Sequence, residues 1–213
     1  MTVADVADPV TEDAAHPFRR RLLDGLAESI AERGYRDTTI ADIVRYARTS
    51  KRTFYQEFDS KEECFVELLR TAIEDMIVQI KDAVDPDAFW QDQIRHAIYA
   101  YVDVIEAKPA VALSWIRELP ALGAAVRSVQ RHNIDKLTQM LTDITGNPGF
   151  QRAGIPPAPA QLSVILLGGL RELTALTVED DKDVRDIAEA AVAASIALVS
   201  AAGAQASPAT ALP

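Results

Sequence analysis

Apolar residues recur at helical intervals along almost the whole chain. In PFRRRLLDGLAESIAER the stripe Leu22, Leu23, Leu26 and Ile30 marks one face of a helix over about 17–33. Pro17 suits its first turn, and Gly34 is expected to end it as a left-handed cap. Thr39 can cap a short helix, Ile40 to Ala47, carrying Ile40, Ile43, Val44 and Ala47. Ser50 can cap another, with Phe54 and Phe58 one turn apart. Ser60 and Glu63 form an S-x-x-E capping box ahead of a long helix whose apolar face includes Phe65, Leu68, Leu69, Ile73, Met76 and Ile80. Asp85–Pro86 stops it. Longer helices are predicted over 87–107, 109–119, 121–145, 159–177 and 182–202, with GNPGFQRAGIPPAP as the one long loop. No stretch alternates in the manner of a strand, so the fold class is all-α.

Charge divides this pattern. The whole chain has a formal net charge of -10. Residues 1–17 hold four acids and no base, whereas residues 18–63 hold ten bases and nine acids. Within that block no acid occurs from Ile43 to Gln56, yet Arg45, Arg48, Lys51 and Arg52 do. An acidic total weighs against general coating of nucleic acid but leaves room for a local basic face. The single cysteine, Cys64, excludes an intramolecular disulfide and a multi-cysteine zinc site and fits a reducing cytoplasm. His, Asp and Glu show no metal-ligand spacing, and no nucleophile–base set is evident. Neither a metal, nor another cofactor, nor enzymatic turnover is therefore expected. The N-terminus lacks the basic and apolar regions of a secretory signal. AEAAVAASIALVSAA comes closest to a membrane helix and reads as too short, so no membrane partner is expected. The segments 1–16 and 203–213 read as disordered tails.

Two short helices joined by a tight turn form a helix-turn-helix, whose second helix enters a DNA groove. Here that helix is the one opened by Ser50. With Phe54 and Phe58 inward, Arg52, Thr53 and Gln56 face outward, and Lys51 and Tyr55 lie on the margin. Lys and Arg donate to phosphates and guanine edges, so Arg52 suits either. The Tyr55 hydroxyl can reach a phosphate, and Thr53 is small enough to allow close approach. Thr39, Ser50 and Lys61 sit at helix starts, where backbone N–H groups attract anions. Arg19, Arg20 and Arg21 read either as a minor-groove arm or as first-turn charges, and the acids before them favour the second.

The segment TSKRTFYQEFDSKEECF, with GYRDTTIADIVRYA before it, resembles the recognition helix region of the TetR family of bacterial transcription regulators. The likeness covers about Phe18 to Leu69. Arg48 and Arg52 stand where the family often has glycine, and Arg48 is expected in an unfavoured backbone conformation. The resemblance implies a cytoplasmic homodimer that binds double-stranded operator DNA, most often a repressor released by a small molecule. Each subunit would have a helix-turn-helix domain over 17–63 and a helical effector-binding and dimerisation domain over 64–202. DNA-contact candidates are Thr39, Arg48, Ser50, Lys51, Arg52, Thr53, Tyr55, Gln56 and Lys61. The implied cavity draws on Trp90, Tyr99, Tyr101, Trp115, Arg117 and Met140, and suits an apolar or aromatic effector. LSVILLGGLRELTAL carries Leu162, Ile165, Leu166, Gly169 and Leu173 on a stripe, and the last helix carries Ala190 and Ala194. Glycine within a helix costs about 1 kcal/mol against alanine. Close approach of a second subunit's helix would offset that, so these residues are the candidate dimer interface.

Overall fold

A computed structural model of the chain describes residues 17–206. Among the described residues every regular element is helical. The helices are α1 (Pro17–Asp37), α2 (Ile40–Tyr46), α3 (Lys51–Glu57), α4 (Lys61–Ala83), α5 (Trp90–Ala107), α6 (Pro109–Arg117), α7 (Arg127–Thr145), α8 (Pro148–Arg152), α9 (Ala160–Glu179) and α10 (Ala188–Ala206). Tighter 3₁₀ turns occupy Leu119–Val126 and Val184–Ile187. The chain forms two compact units, one ending at Leu68 and the other starting at Leu69. The expected tail at 1–16 lies outside the described residues. At the other end, α10 runs three residues past Gly203, where a tail had been expected to begin, and 207–213 lie outside the described residues.

The first unit closes over Leu22, Leu26, Ile30, Ile43, Phe54, Phe58 and Phe65, all essentially removed from water. Each such side chain contributes roughly 1.5–3 kcal/mol of transfer free energy. Gly25 sets how closely α1 meets α2. A Cβ there would lie 2.7 Å from the Ile43 carbonyl oxygen and 2.8 Å from the Ala47 nitrogen. Gly34 has the expected positive φ of 78°, but its ψ of 165° is that of a kink, and a further helical turn follows to Asp37. Thr38 locks this corner. Its buried hydroxyl donates to the Gly34 carbonyl at 2.7 Å and pairs with Ser29 Oγ at 3.0 Å.

The second unit packs α4, α5, α7 and α10 around Ile73, Ile80, Val102, Ile105, Leu137, Ile144, Val192 and Val199. Buried Gln93 ties its loops together. Its amide nitrogen donates to the carbonyls of Pro86 and Ala88, both at 3.0 Å, and its oxygen accepts from Asn147 Nδ2 at 2.9 Å. Three sequence readings change here. The long loop contains α8, anchored by fully buried Phe150 against Trp90. The helix expected from residue 121 starts at Arg127, because Gly123 turns at φ 78°. Finally, α9 and the stretch Val184–Gly203 are long and apolar enough to cross a membrane by length and composition. The run AEAAVAASIALVSAA is only part of the second stretch, which extends it at both ends to 20 residues. Only 22% and 28% of these windows are buried within the chain, so much apolar surface faces outward.

Candidate nucleic-acid interface and ligand cavity

The polar face of the first unit is built by two caps and a turn. Ser50 Oγ accepts from the Thr53 N–H at 3.1 Å and so opens α3. Between α2 and α3 the chain reverses at Arg48, whose φ is 49°. That left-handed conformation is the one expected where glycine is usual, and Arg21 supports it from outside. One of its guanidinium nitrogens donates to the carbonyls of Ala47 at 2.6 Å and Arg48 at 2.9 Å. Phe54 and Phe58 are buried, which turns the opposite side of α3 to solvent. Arg48, Lys51, Arg52 and Gln56 are exposed there, Thr53 is half-buried, and Tyr55 is 57% exposed. The side chains of Arg48, Lys51 and Arg52 make no hydrogen bond or ion pair with a described residue. Three cations in that state, close together at the start of one helix, are available to an external anion.

The other bases nearby are engaged. Arg19 donates to the Glu57 carbonyl at 3.0 Å, pairs with Glu67 and lies over the Phe58 ring. With Arg21 occupied as described, these two behave as structural charges and not as an arm. Arg45 lies 3.5 Å from Asp42 and over the Tyr46 ring. Two of the predicted anion sites are also altered. Lys61 was placed among the DNA contacts, but its ammonium donates to the carbonyls of Tyr35 at 3.1 Å, Arg36 at 3.4 Å and Thr38 at 2.9 Å. An ammonium has three protons, so the group is committed to the open end of α1. Thr39 caps α2, but the Asp42 carboxylate accepts from its N–H at 3.1 Å and its hydroxyl at 2.6 Å. These Thr39 bonds, with Arg33 beside it, hold the Asp42 carboxyl below the ordinary range. An internal anion therefore already occupies the start of α2. At the start of α4 the expected capping box is half built: Glu63 N–H donates to Ser60 Oγ, while the Glu63 carboxylate reaches the Asp59 N–H. Cys64 is buried, and desolvation pushes its thiol up to about 12, which leaves it inert as a nucleophile.

The second unit contains a cavity of about 250 Å³. Its walls are mainly carbon, from Met76, Ile80, Ile98, Leu137, Met140, Leu166, Leu167 and Val199 among others. Of the six predicted cavity residues, Tyr101, Trp115 and Met140 line it. Trp90 instead packs on Phe150, with ring centres 6.0 Å apart. The Tyr99 hydroxyl donates to Glu189 at 2.7 Å, on the surface. Arg117 clamps α6 to α9 through bonds of 2.6–3.0 Å to Glu179 and Glu172. Those bonds hold both glutamates below the ordinary carboxylate range. Short helix faces admit only some of their aromatics to an interior, and periodicity does not say which. Sequence reasoning missed Thr145, Arg171 and Ser195, which supply polar lining. A signal existed for one of them: Arg171 is the single base in LSVILLGGLRELTAL.

The predicted interface residues fall into two groups. Leu162 and Leu166 pack against the core of their own unit. Ile165, Gly169, Leu173, Ala190 and Ala194 are exposed, Ile165 by 60%, and Leu176 continues the α9 stripe. Among the described residues, nothing beyond the backbone of α9 itself and each glycine's immediate neighbours lies within 4 Å of a Cβ built on Gly168 or Gly169. No close approach inside the described chain therefore accounts for the glycine pair.

Residues 22–68 match the profile of "Bacterial regulatory proteins, tetR family". The transcriptional repressor KstR2 of Mycobacterium tuberculosis is 32% identical over 109 residues, which are 51% of this chain and 54% of KstR2. The transcriptional activator FasR of Mycolicibacterium smegmatis is 28% identical over 88 residues, 41% of this chain and 40% of FasR. The chain thus matches about half the length of its curated relatives, or less. Among solved structures, the transcriptional regulator FadR from Bacillus subtilis, in complex with stearoyl-CoA, superposes with a TM-score of 0.72 at 19% identity. That likeness covers 85% of this chain and 97% of FadR, and it concerns the fold. Residues 22–68 therefore resemble the N-terminal domain of the TetR family of bacterial regulators, within an all-helical chain whose fold is shared by a solved tetR-family transcriptional regulator from Streptomyces coelicolor, at a TM-score of 0.70.

Proposed function

We propose that the chain is a homodimeric, ligand-responsive repressor that binds operator DNA through α3 and releases it when a small molecule enters the α4–α5–α7–α9 cavity. The observation that carries this reading is the group Arg48, Lys51 and Arg52, exposed and without partners among the described residues, at the start of a helix whose opposite face is anchored by Phe54 and Phe58. In a protein of net charge -10, cations left unpaired at one helix start suit a polyanion. Tyr55, Thr53 and Gln56 complete the face, with Ser50 holding the helix start.

Dimerisation is supported by the exposed stripe Ile165, Gly169, Leu173 and Leu176 beside the small residues Ala190 and Ala194 of α10. Two copies of α9 and α10 would cover that surface as a four-helix bundle. A dimer also presents two copies of α3 to half-sites about 34–36 Å apart. The same surface gives a reason for the apolar length of α9 and α10 that requires no membrane, in keeping with a cytoplasmic regulator.

The ligand step is a population shift. Met76 and Ile80 of α4 line the cavity, while Cys64 and Phe65 of the same helix belong to the core of the first unit. A molecule that prefers one setting of α4 over another would bias the spacing of the two α3 helices, by no more than its differential affinity for the two settings. The role involves no catalytic step, and the relatives are transcriptional regulators.

The test is anisotropy titration of labelled DNA from upstream of the chain's own gene, repeated across a salt series. Dimer-stoichiometric binding with a steep negative salt slope is expected, together with derepression of a reporter in a deletion strain. Loss of reporter output on deletion would favour an activator. Binding that is weak and flat in salt would overturn the reading.

A further inference from the structure

This inference rests on reading the cavity as an effector site, and concerns what fits it. Most of the lining is hydrocarbon, so its few polar groups decide the ligand's chemistry. Thr145 is already satisfied, donating to the Leu141 carbonyl at 2.7 Å and accepting from the Ala158 N–H at 2.8 Å. Arg171 is not. Among the described residues it is the one formally charged group in the lining, it is half-buried, and its guanidinium makes a single bond to them, of 3.3 Å to the Ile116 carbonyl. Four of its five N–H donors have no acceptor among the described residues. The adjacent carboxylate, Glu172, has both oxygens engaged by Arg117 at 2.9 and 3.0 Å.

A second group points the same way. The Tyr101 hydroxyl pairs with Thr174 Oγ1 at 2.7 Å in a buried position. Two hydroxyls carry two protons and their mutual bond uses one, so a donor remains. Burial pushes the Tyr101 phenol up to about 12, so it stays protonated. A guanidinium and a spare hydroxyl proton at the edge of an apolar chamber suit an anionic oxygen that accepts both.

Size limits the rest. An engineered cavity of about 150 Å³ takes benzene, so about 250 Å³ takes an apolar group of roughly ten carbons. Along α9 the lining runs from Val164 to Arg171, a rise of about 10 Å at 1.5 Å per residue. That length also matches an extended chain of this size.

We propose that the cavity binds a monocarboxylic amphiphile with an apolar body of roughly ten carbons, its carboxylate held by Arg171 and by the Tyr101 hydroxyl, which Thr174 orients from behind. The acyl chain of stearoyl-CoA, the ligand in the FadR complex, is longer than this chamber accommodates.

The full chain is titrated with decanoate, decan-1-ol and stearoyl-CoA, read by calorimetry and by fluorescence of Trp115, which lines the cavity. Decanoate is expected to bind about tenfold or more tightly than decan-1-ol, a charge-assisted bond being stronger than a neutral one. Arg171→Gln should abolish that preference while leaving decan-1-ol affinity in place, and Arg171→Lys should keep most of it. The Lys variant decides the matter should the Gln variant not fold. Equal affinity for acid and alcohol in the unaltered protein, a preference that survives in Arg171→Gln, or tight binding of stearoyl-CoA alone overturns the proposal. A DNA arm separates it from the effector reading. Decanoate that binds through Arg171 but leaves operator affinity unchanged sinks the effector reading only. Operator release by decan-1-ol as effective as by decanoate sinks the carboxylate assignment only.

Discussion

Consider the triple variant Arg48→Ala, Lys51→Ala, Arg52→Ala. Each of these side chains is exposed and makes no hydrogen bond or ion pair with a described residue, so its removal leaves no buried partner stranded. Alanine is also tolerated in the first turn of α3, and Ser50 still caps it. Domain stability should therefore change little, by about 1 kcal/mol or less. DNA binding should change greatly. Each phosphate neutralised contributes about 0.9 to the slope of log K against log salt. Three cations in each of two subunits make the slope shallower by up to about 5. Between 50 and 200 mM salt a slope of that size is worth roughly a thousandfold in affinity. The assay is anisotropy at four or more salt concentrations, with a thermal melt on the same material. Lys61→Met is the informative control. Its ammonium is spent on three carbonyls at the end of α1, so it should lower the melting temperature and leave the salt slope of the folded protein nearly intact. A triple variant that melts normally and keeps the original slope would refute the assignment of these cations to phosphate.

Four further outcomes follow from single sites. Arg48→Gly removes a side chain from φ 49°, so stability should hold or rise by up to about 1 kcal/mol while DNA affinity falls, measured by melt and anisotropy on one preparation. Gly25→Ala forces a methyl against the Ile43 carbonyl and the Ala47 nitrogen, and should cost about 1–3 kcal/mol in urea unfolding; a neutral result would mean α1 and α2 can separate freely. Asn133 is buried with neither amide atom hydrogen-bonded to a described residue, so Asn133→Leu should stabilise the second unit by about 1–3 kcal/mol, and a loss instead would reveal a partner for the amide. Glu172 and Glu179 are held below the ordinary glutamate value of 4.5 by Arg117. Their contribution is thus present above about pH 4.5 and fades as pH falls through their lowered values, so Arg117→Met should lower the melting temperature at neutral pH while the two curves converge in acid.

The sequence alone determined most of the stretches that are helical, where most of them begin, and which short pair holds the exposed cationic surface. Those features depend on neighbours three or four residues apart: Ser50 with Thr53, Phe54 with Phe58, Thr39 with Asp42. Arg48 in place of a turn glycine was legible for the same reason, since backbone sterics are local. Tertiary structure decided which charges are free. Arg19, Arg21 and Lys61 look like Arg48 and Lys51 in the sequence, yet carbonyls from residues 23 to 38 positions away absorb them. It also decided that Trp90 and Tyr99 lie outside the cavity and Arg171 at its edge, because admission to an interior depends on how several helices pack at once. Periodicity assigns a residue to a face, but only packing between helices determines what that face meets.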